Sequence, residues 1–175
     1  MAQQYFVLGI GGTGMRCIES LIHLCAMGMF DDTDIHLLAL DTDKDNGNFA
    51  RLKEVKEAYV KAKGTDASLR TALNETFFSA NINYYEFSPN YEVKSDFMSV
   101  FNYGDTKFNN PEQTAIADLV LNKNVETFNL RHGYRAQTHL GSMMMYHSIL
   151  EAARSNKNSE LKTYLQKLIQ VAQNG

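Results

Sequence analysis

Two short runs, YFVL at residues 5–8 and IHLLAL at 35–40, are apolar nearly throughout. A strand with one wet face alternates apolar and polar positions. A continuous run is covered on both faces, as in a parallel sheet between helices. The pattern predicts strands over residues 4–9 and 35–40. Between them Met15, Ile18, Ile22, Cys25, Ala26 and Met29 recur at helical spacing, which predicts a helix over 13–29. FDDTD follows as a polar turn. Strand, helix and strand form a βαβ unit, with a right-handed crossover as the default.

Further along, KDNGN (44–48) reads as a loop, and Phe49 to about Lys63 as a heavily charged, solvated helix stopped by Gly64. Ser68–Phe78 has a helical pattern, NYYEFSP (83–89) is a short strand closed by Pro89, and 93–101 fits helix better than strand. Asn110-Pro111-Glu112 is a helix start, with a cap, a first-turn proline and an acid at the positive end; that helix runs to about Leu121. Residues 122–138 are polar and read mostly as loop after a short turn at 125–129. Leu140–Ala153 is a helix with Leu140, Met144, Met145 and Leu150 inward. Leu161, Tyr164, Leu165, Leu168, Ile169 and Ala172 give the stripe of a final helix. No repeat appears, and two prolines leave no obvious linker.

Composition narrows the class. A chain of 175 residues, 44% hydrophobic and 21% charged, can build a core and by length suggests one domain. Net charge is −3 with both signs spread along the chain, which argues against a nucleic-acid surface. No apolar run approaches 18 residues, so no membrane span is expected, and MAQQYFVLGIGG lacks the charged start of a secretory signal. Cys17 and Cys25 lie eight positions apart on one predicted helix, about 12 Å, too far to bridge. Reduced thiols of a cytoplasmic protein are the expectation.

The first strand ends in FVLGIGGTGMRC. Gly9, Gly11 and Gly14 satisfy GxGxxG between a strand and a helix, the context in which that weak pattern gains meaning. Glycines leave main-chain amides uncovered, and the helix start adds about half a positive charge, which together suit phosphate. Thr13 adds a hydroxyl, as donor or cap. A bare β–α turn is the alternative, although it has no evident need for Gly12 as a fourth glycine. A dinucleotide site of an NAD(P)- or FAD-dependent oxidoreductase wants an acid about 20 residues on; Asp41 stands 27 positions after Gly14. A P-loop needs lysine and Ser/Thr where Met15-Arg16 stands.

FVLGIGGTGMRCIESLI followed by HLLALDTDKD resembles the start of the tubulin/FtsZ superfamily of GTPases, in which the second strand ends in Asn-Thr-Asp; here the triplet is Asp41-Thr42-Asp43. LRHGYRAQTHLGSMMMYHSILEA resembles, more loosely, the family's loop near the γ-phosphate and the helix after it. The likeness is nearest to the large bacterial tubulin-like proteins. It implies a three-layer, Rossmann-like α/β domain with a parallel sheet, binding GTP or GDP, with Mg²⁺ as a further expectation. Gly9, Gly11, Gly12, Thr13 and Gly14 would cradle phosphates, Asp41, Thr42 and Asp43 would orient nucleoside or metal, and Gly133, Arg135 and Gly141 would face the phosphates. No catalytic residue is assigned. Asp43 and Gly141 are 98 positions apart, so residues 50–125 would be largely a helical insertion. The family's GGGTG-type loop and its activating loop are missing. The 175 residues are therefore expected to be an N-terminal fragment of a longer, filament-forming GTPase or a truncated homologue, and not catalytically complete alone.

The remaining candidates are plainer. Arg131, His132 and Arg135 make the one compact basic cluster, suited equally to phosphate or to surface ion pairs. Met143, Met144 and Met145 read as core filler, Tyr84, Tyr85, Phe87 and Tyr91 as cover for a sheet edge, and His23 and His139 as surface or capping residues.

Overall fold

The computed structural model describes residues 3–66, 77–89, 119, 138–154 and 159–174. The two apolar runs lie in β1 (Gln4–Ile10) and β2 (Asp34–Leu40). The third predicted strand is β3 (Asn81–Phe87). All three are parallel in the order β1-β2-β3, with Ile10, Leu40 and Phe87 in register, so their carboxyl ends finish level. With α1 (Gly11–Ala26), α2 (Asn48–Asp66) and a C-terminal helix (Glu160–Asn174) packed on it, the sheet makes a small Rossmann-like α/β structure.

The chain divides into two compact units, Met1–Ser88 with Ser155–Gly175, and Pro89–Arg154. Residues 48–66 and 81–87, part of the stretch expected as an insertion, form α2 and β3 of the sheet-bearing unit. In the second unit the helix α3 (Thr138–Arg154) buries Leu140, Met144 and Met145 and exposes Met143. The C-terminal helix is α4. The elements expected over 93–101, 110–118 and 120–137, and Tyr91, lie outside the described residues, as does most of Ser68–Phe78, of which Phe77 and Phe78 form a turn.

Side chains alternate across a strand, and the two faces are covered unequally. On one, Val7, Ile35, Leu37, Ala39, Ile82 and Tyr84 meet the buried stripe Met15, Ile18, Ile22 and Cys25 of α1. Each large side chain so buried contributes roughly 1.5–3 kcal/mol. Met29 lies past the end of α1 and is exposed. α2 is less solvated than its charge pattern predicts: Phe49, Leu52 and Tyr59 are buried in the same core. Gly64 does not stop α2, which continues to Asp66. Glu19 of α1 takes a forked ion pair from Arg51 of α2, with contacts of 2.6–3.1 Å, and this holds its carboxyl below the usual range.

On the other face Tyr164 of α4 stands edge-on to both Phe6 and Tyr85, with ring centroids 5.6 Å apart in each case. His36 lies beneath, stacked on Phe6 at 4.6 Å, 3% exposed, with neither ring nitrogen hydrogen-bonded among the described residues. Burial holds this imidazole below its ordinary pKa, and Lys167 adds to the effect. Only part of the face is covered. Leu8 and Ile10 of β1 stay 50% and 53% exposed, although the continuous run predicted two covered faces. The α4 stripe likewise buries Leu161 and Tyr164 and leaves Leu165, Leu168 and Ile169 exposed.

Candidate functional site at the carboxyl end of the sheet

β1 passes into α1 with no intervening loop. Ile10, in extended conformation, is the N-cap residue, and Gly11 has φ +67°, a left-handed value that favours glycine. Gly9 and Gly14 meet backbone to backbone: a Cβ on Gly14 would lie 2.7 Å from the Gly9 carbonyl carbon. Gly12 lies under the Asn48 side chain, whose Nδ2 would be 2.8 Å from a Cβ there. The fourth glycine thus has a use in the turn itself, which is to admit Asn48. At Gly11 a Cβ would meet nothing within 4 Å, so the turn is open on that side.

Helix α1 has no side-chain cap and no acid in its first turn. Thr13 is exposed and does not cap it. By the helix repeat, the Gly14 amide bonds back to the Ile10 carbonyl, which leaves the amides of Gly11, Gly12 and Thr13 at the positive end. Gly14 serves the site by packing on Gly9.

Asp41, Thr42 and Asp43 stand beside this turn, because Leu40 pairs with Ile10. Asp41 is buried, and both its oxygens brace the loop: Oδ1 accepts the Asp43 N–H at 3.1 Å and Oδ2 the Asn46 Nδ2 at 3.3 Å. Asp43 Oδ1 accepts the Asp45 N–H, and Asn46 Oδ1 accepts the Asn48 N–H that opens α2. Such turns, in which a side chain holds an amide two residues on, need no long-range contact. Thr42 is different. It is 3% exposed, and its hydroxyl has no hydrogen-bond partner among the described residues.

Beyond β3 a cleft of about 670 Å³ opens between the starts of α2 and α4. Phe49 and Phe87 supply apolar wall, Lys44 and Lys53 ammonium groups, and Glu86 and Glu160 carboxylates. Sequence reasoning missed Lys44, Asn48 and Lys53. Lys44 sits in a polar loop with no motif, Asn48 is the residue that opens α2 after that loop, and Lys53 is one charge among many on α2. Gly133 and Arg135 lie outside the described residues, and Gly141 is a buried residue of α3 in the second unit.

Among the described residues no three His, Cys, Asp or Glu side chains are grouped to hold a metal ion, and no helix is long and apolar enough to cross a membrane. Cys17 is exposed and free; Cys25 is free and buried, which pushes its thiol up to about 11. Comparison with protein-family models, curated proteins and solved structures gives no match.

Proposed function

We propose that the sheet-bearing unit is a guanine-nucleotide-binding domain of the tubulin/FtsZ type, with phosphates on the amides of Gly11, Gly12 and Thr13. The observation that carries this is the helix start itself: three amides with no side-chain cap, facing an open side at Gly11. The Thr42 hydroxyl on the neighbouring strand end is buried with no partner among the described residues, and burying such a group unpaired is costly unless something meets it. Mg²⁺ would come with the nucleotide and neutralise phosphate charge. In a longer parent protein the reading extends to GTP hydrolysis and self-association in the cytoplasm.

A second reading, an NAD(P)- or FAD-binding domain, draws on the contact of Gly9 with Gly14, since close strand–helix packing is one task of the glycines in a dinucleotide fingerprint. Against it, the Asp41 carboxylate that would hold a ribose is already occupied by its own loop.

Thermal unfolding with GTP, GDP and NAD separates the two. A ligand at 100 times its Kd adds about 2.7 kcal/mol of stability. Stabilisation by GTP and GDP is expected, and stabilisation by NAD alone would sink the proposal. Gly12→Ala is the sharper variant, because a methyl there meets only the end of the Asn48 side chain and Gly12 has no positive φ. At Gly11 any side chain also strains the backbone, so loss of binding would not be distinguishable from a damaged turn.

A further inference from the structure

Strand β3 has β2 on one side and no described strand on the other. The main-chain groups of a strand point alternately to its two sides. The Asn81 N–H donates to the Thr33 carbonyl, and the Phe87 carbonyl accepts from the Asp41 N–H, so the odd-numbered residues of β3 face β2. Ile82, Tyr84 and Glu86 therefore turn their main chain outward. The Glu86 N–H is taken by the Glu160 carboxylate. Ile82 and Tyr84 have no main-chain partner on that side among the described residues.

Natural edge strands are blunted by lysine, proline or a bulge. β3 has none of these. Its seven residues, NINYYEF, pair with β2 without a break, and their one charge is Glu86, near the end. Ile82 and Tyr84 pack on the α1 side of the sheet, so Asn83 stands on the other face, where it is exposed.

The edge is complementary to itself. Antiparallel pairing about a two-fold axis at Asn83 sets Ile82 opposite the second copy's Tyr84, and Tyr84 opposite its Ile82. Each such pair exchanges two main-chain hydrogen bonds. The open groups are then satisfied, and the bond from Glu86 to Glu160 stays in place. In that register Asn83 faces itself, in a narrow pair with close side chains. Glu86 comes opposite Ala80, whose carbonyl accepts from the Lys63 ammonium at 2.9 Å. By strand alternation Glu86 lies on the same side of the sheet as Ile82 and Tyr84, the side on which α2 carries Lys63. The two-fold thus brings opposite charges together twice. β1, the other edge, carries no acidic or basic side chain to fix a partner in this way.

We infer that the outer edge of β3 pairs antiparallel with the same edge of a second copy of this chain, joining two three-stranded sheets into one, with Asn83 at the axis. The pairing is independent of nucleotide binding.

The test is sedimentation equilibrium of the 175-residue chain without nucleotide, over a series of concentrations. The unaltered chain is expected to approach twice its mass of 19.8 kDa as concentration rises. The variants are Asn83→Lys and Asn83→Asp. Like charges directly opposite each other are destabilising, so each variant alone is expected to dimerise about tenfold more weakly. An equal mixture sets lysine against aspartate, and dimerisation returns to within about threefold of the unaltered chain. Unchanged unfolding midpoints confirm that the variants are folded. Hydrogen exchange on the unaltered chain decides the matter should a variant fail to fold: the Ile82 and Tyr84 amides slow as concentration rises. A chain that stays monomeric up to about 1 mM overturns the inference. So does a dimer that neither substitution weakens, a mixture no tighter than its components, or exchange at Ile82 and Tyr84 that ignores concentration.

Discussion

Gly9 and Gly14 touch through their backbones, and this contact sets how closely α1 lies against the end of β1. A side chain on either residue forces strand and helix apart at the point where three amides are presented. Gly14→Ala is expected to destabilise the protein by roughly 1–3 kcal/mol, the usual range for overpacking, measured by urea unfolding. Gly64→Ala is the contrast. It lies in α2 with open space around it and no positive φ, so alanine there is expected to stabilise by about 0.5 kcal/mol. If Gly14→Ala proves neutral, the close contact is not what selects glycine.

Tyr59 and Lys63, one turn apart on α2, donate to the same carbonyl, that of Ala80, at 2.8 and 2.9 Å. Lys63 Nζ also donates to the Ser79 carbonyl and to Asn81 Oδ1, each at 2.7 Å. These bonds fix the chain as it enters β3. Lys63→Met is expected to cost about 1–3 kcal/mol and Tyr59→Phe about 1 kcal/mol. Because the two share an acceptor, the double variant should depart from the sum of the singles. Additive losses would show that the donors act independently.

His36 predicts a dependence on pH. Its folded-state pKa is held below the ordinary value, so the folded protein binds fewer protons than the unfolded chain. Stability is then full above about pH 6.5 and falls as the pH drops toward the folded-state value. Asp34 works against this shift and Lys167 with it. His36→Phe keeps the ring between Phe6 and Tyr85 and removes the titration. It should flatten the slope of unfolding midpoint against pH between about 5 and 7. An unchanged slope would assign the effect to other groups.

Thr42→Val separates a structural hydroxyl from a ligand contact. The hydroxyl has no partner among the described residues, so replacing it with a methyl should leave the ligand-free midpoint unchanged or slightly higher. GTP affinity should fall about tenfold if the hydroxyl meets the nucleotide. Unchanged affinity places Thr42 outside the site.

The parts of the fold that a sequence reader sees are those with a local cause. The runs 5–8 and 35–40 announce strands because their neighbours are polar or glycine, and Met15, Ile18, Ile22 and Cys25 announce the buried face of α1 because one helix turn repeats along them. Phe49, Leu52 and Tyr59 were hidden because the lysines and glutamates between them dominate the pattern of α2. Burial of His36 depends on where α4 lands, some 125 residues later, and no window of sequence contains that. At the site, the glycines were legible as a group. The division of labour among them was not, because the reason for Gly12 is Asn48.

The chain from Asp41 to Asn48, in which Asp41, Asp43 and Asn46 each steady an amide two positions on, has a thermodynamic consequence. A flexible loop must give up conformational freedom when a ligand arrives, and that loss comes off the affinity. Here three hydrogen bonds within the loop supply part of that ordering. A ligand held at the neighbouring Gly12 turn would meet a wall already braced by these bonds, and would lose less affinity to arresting its motion.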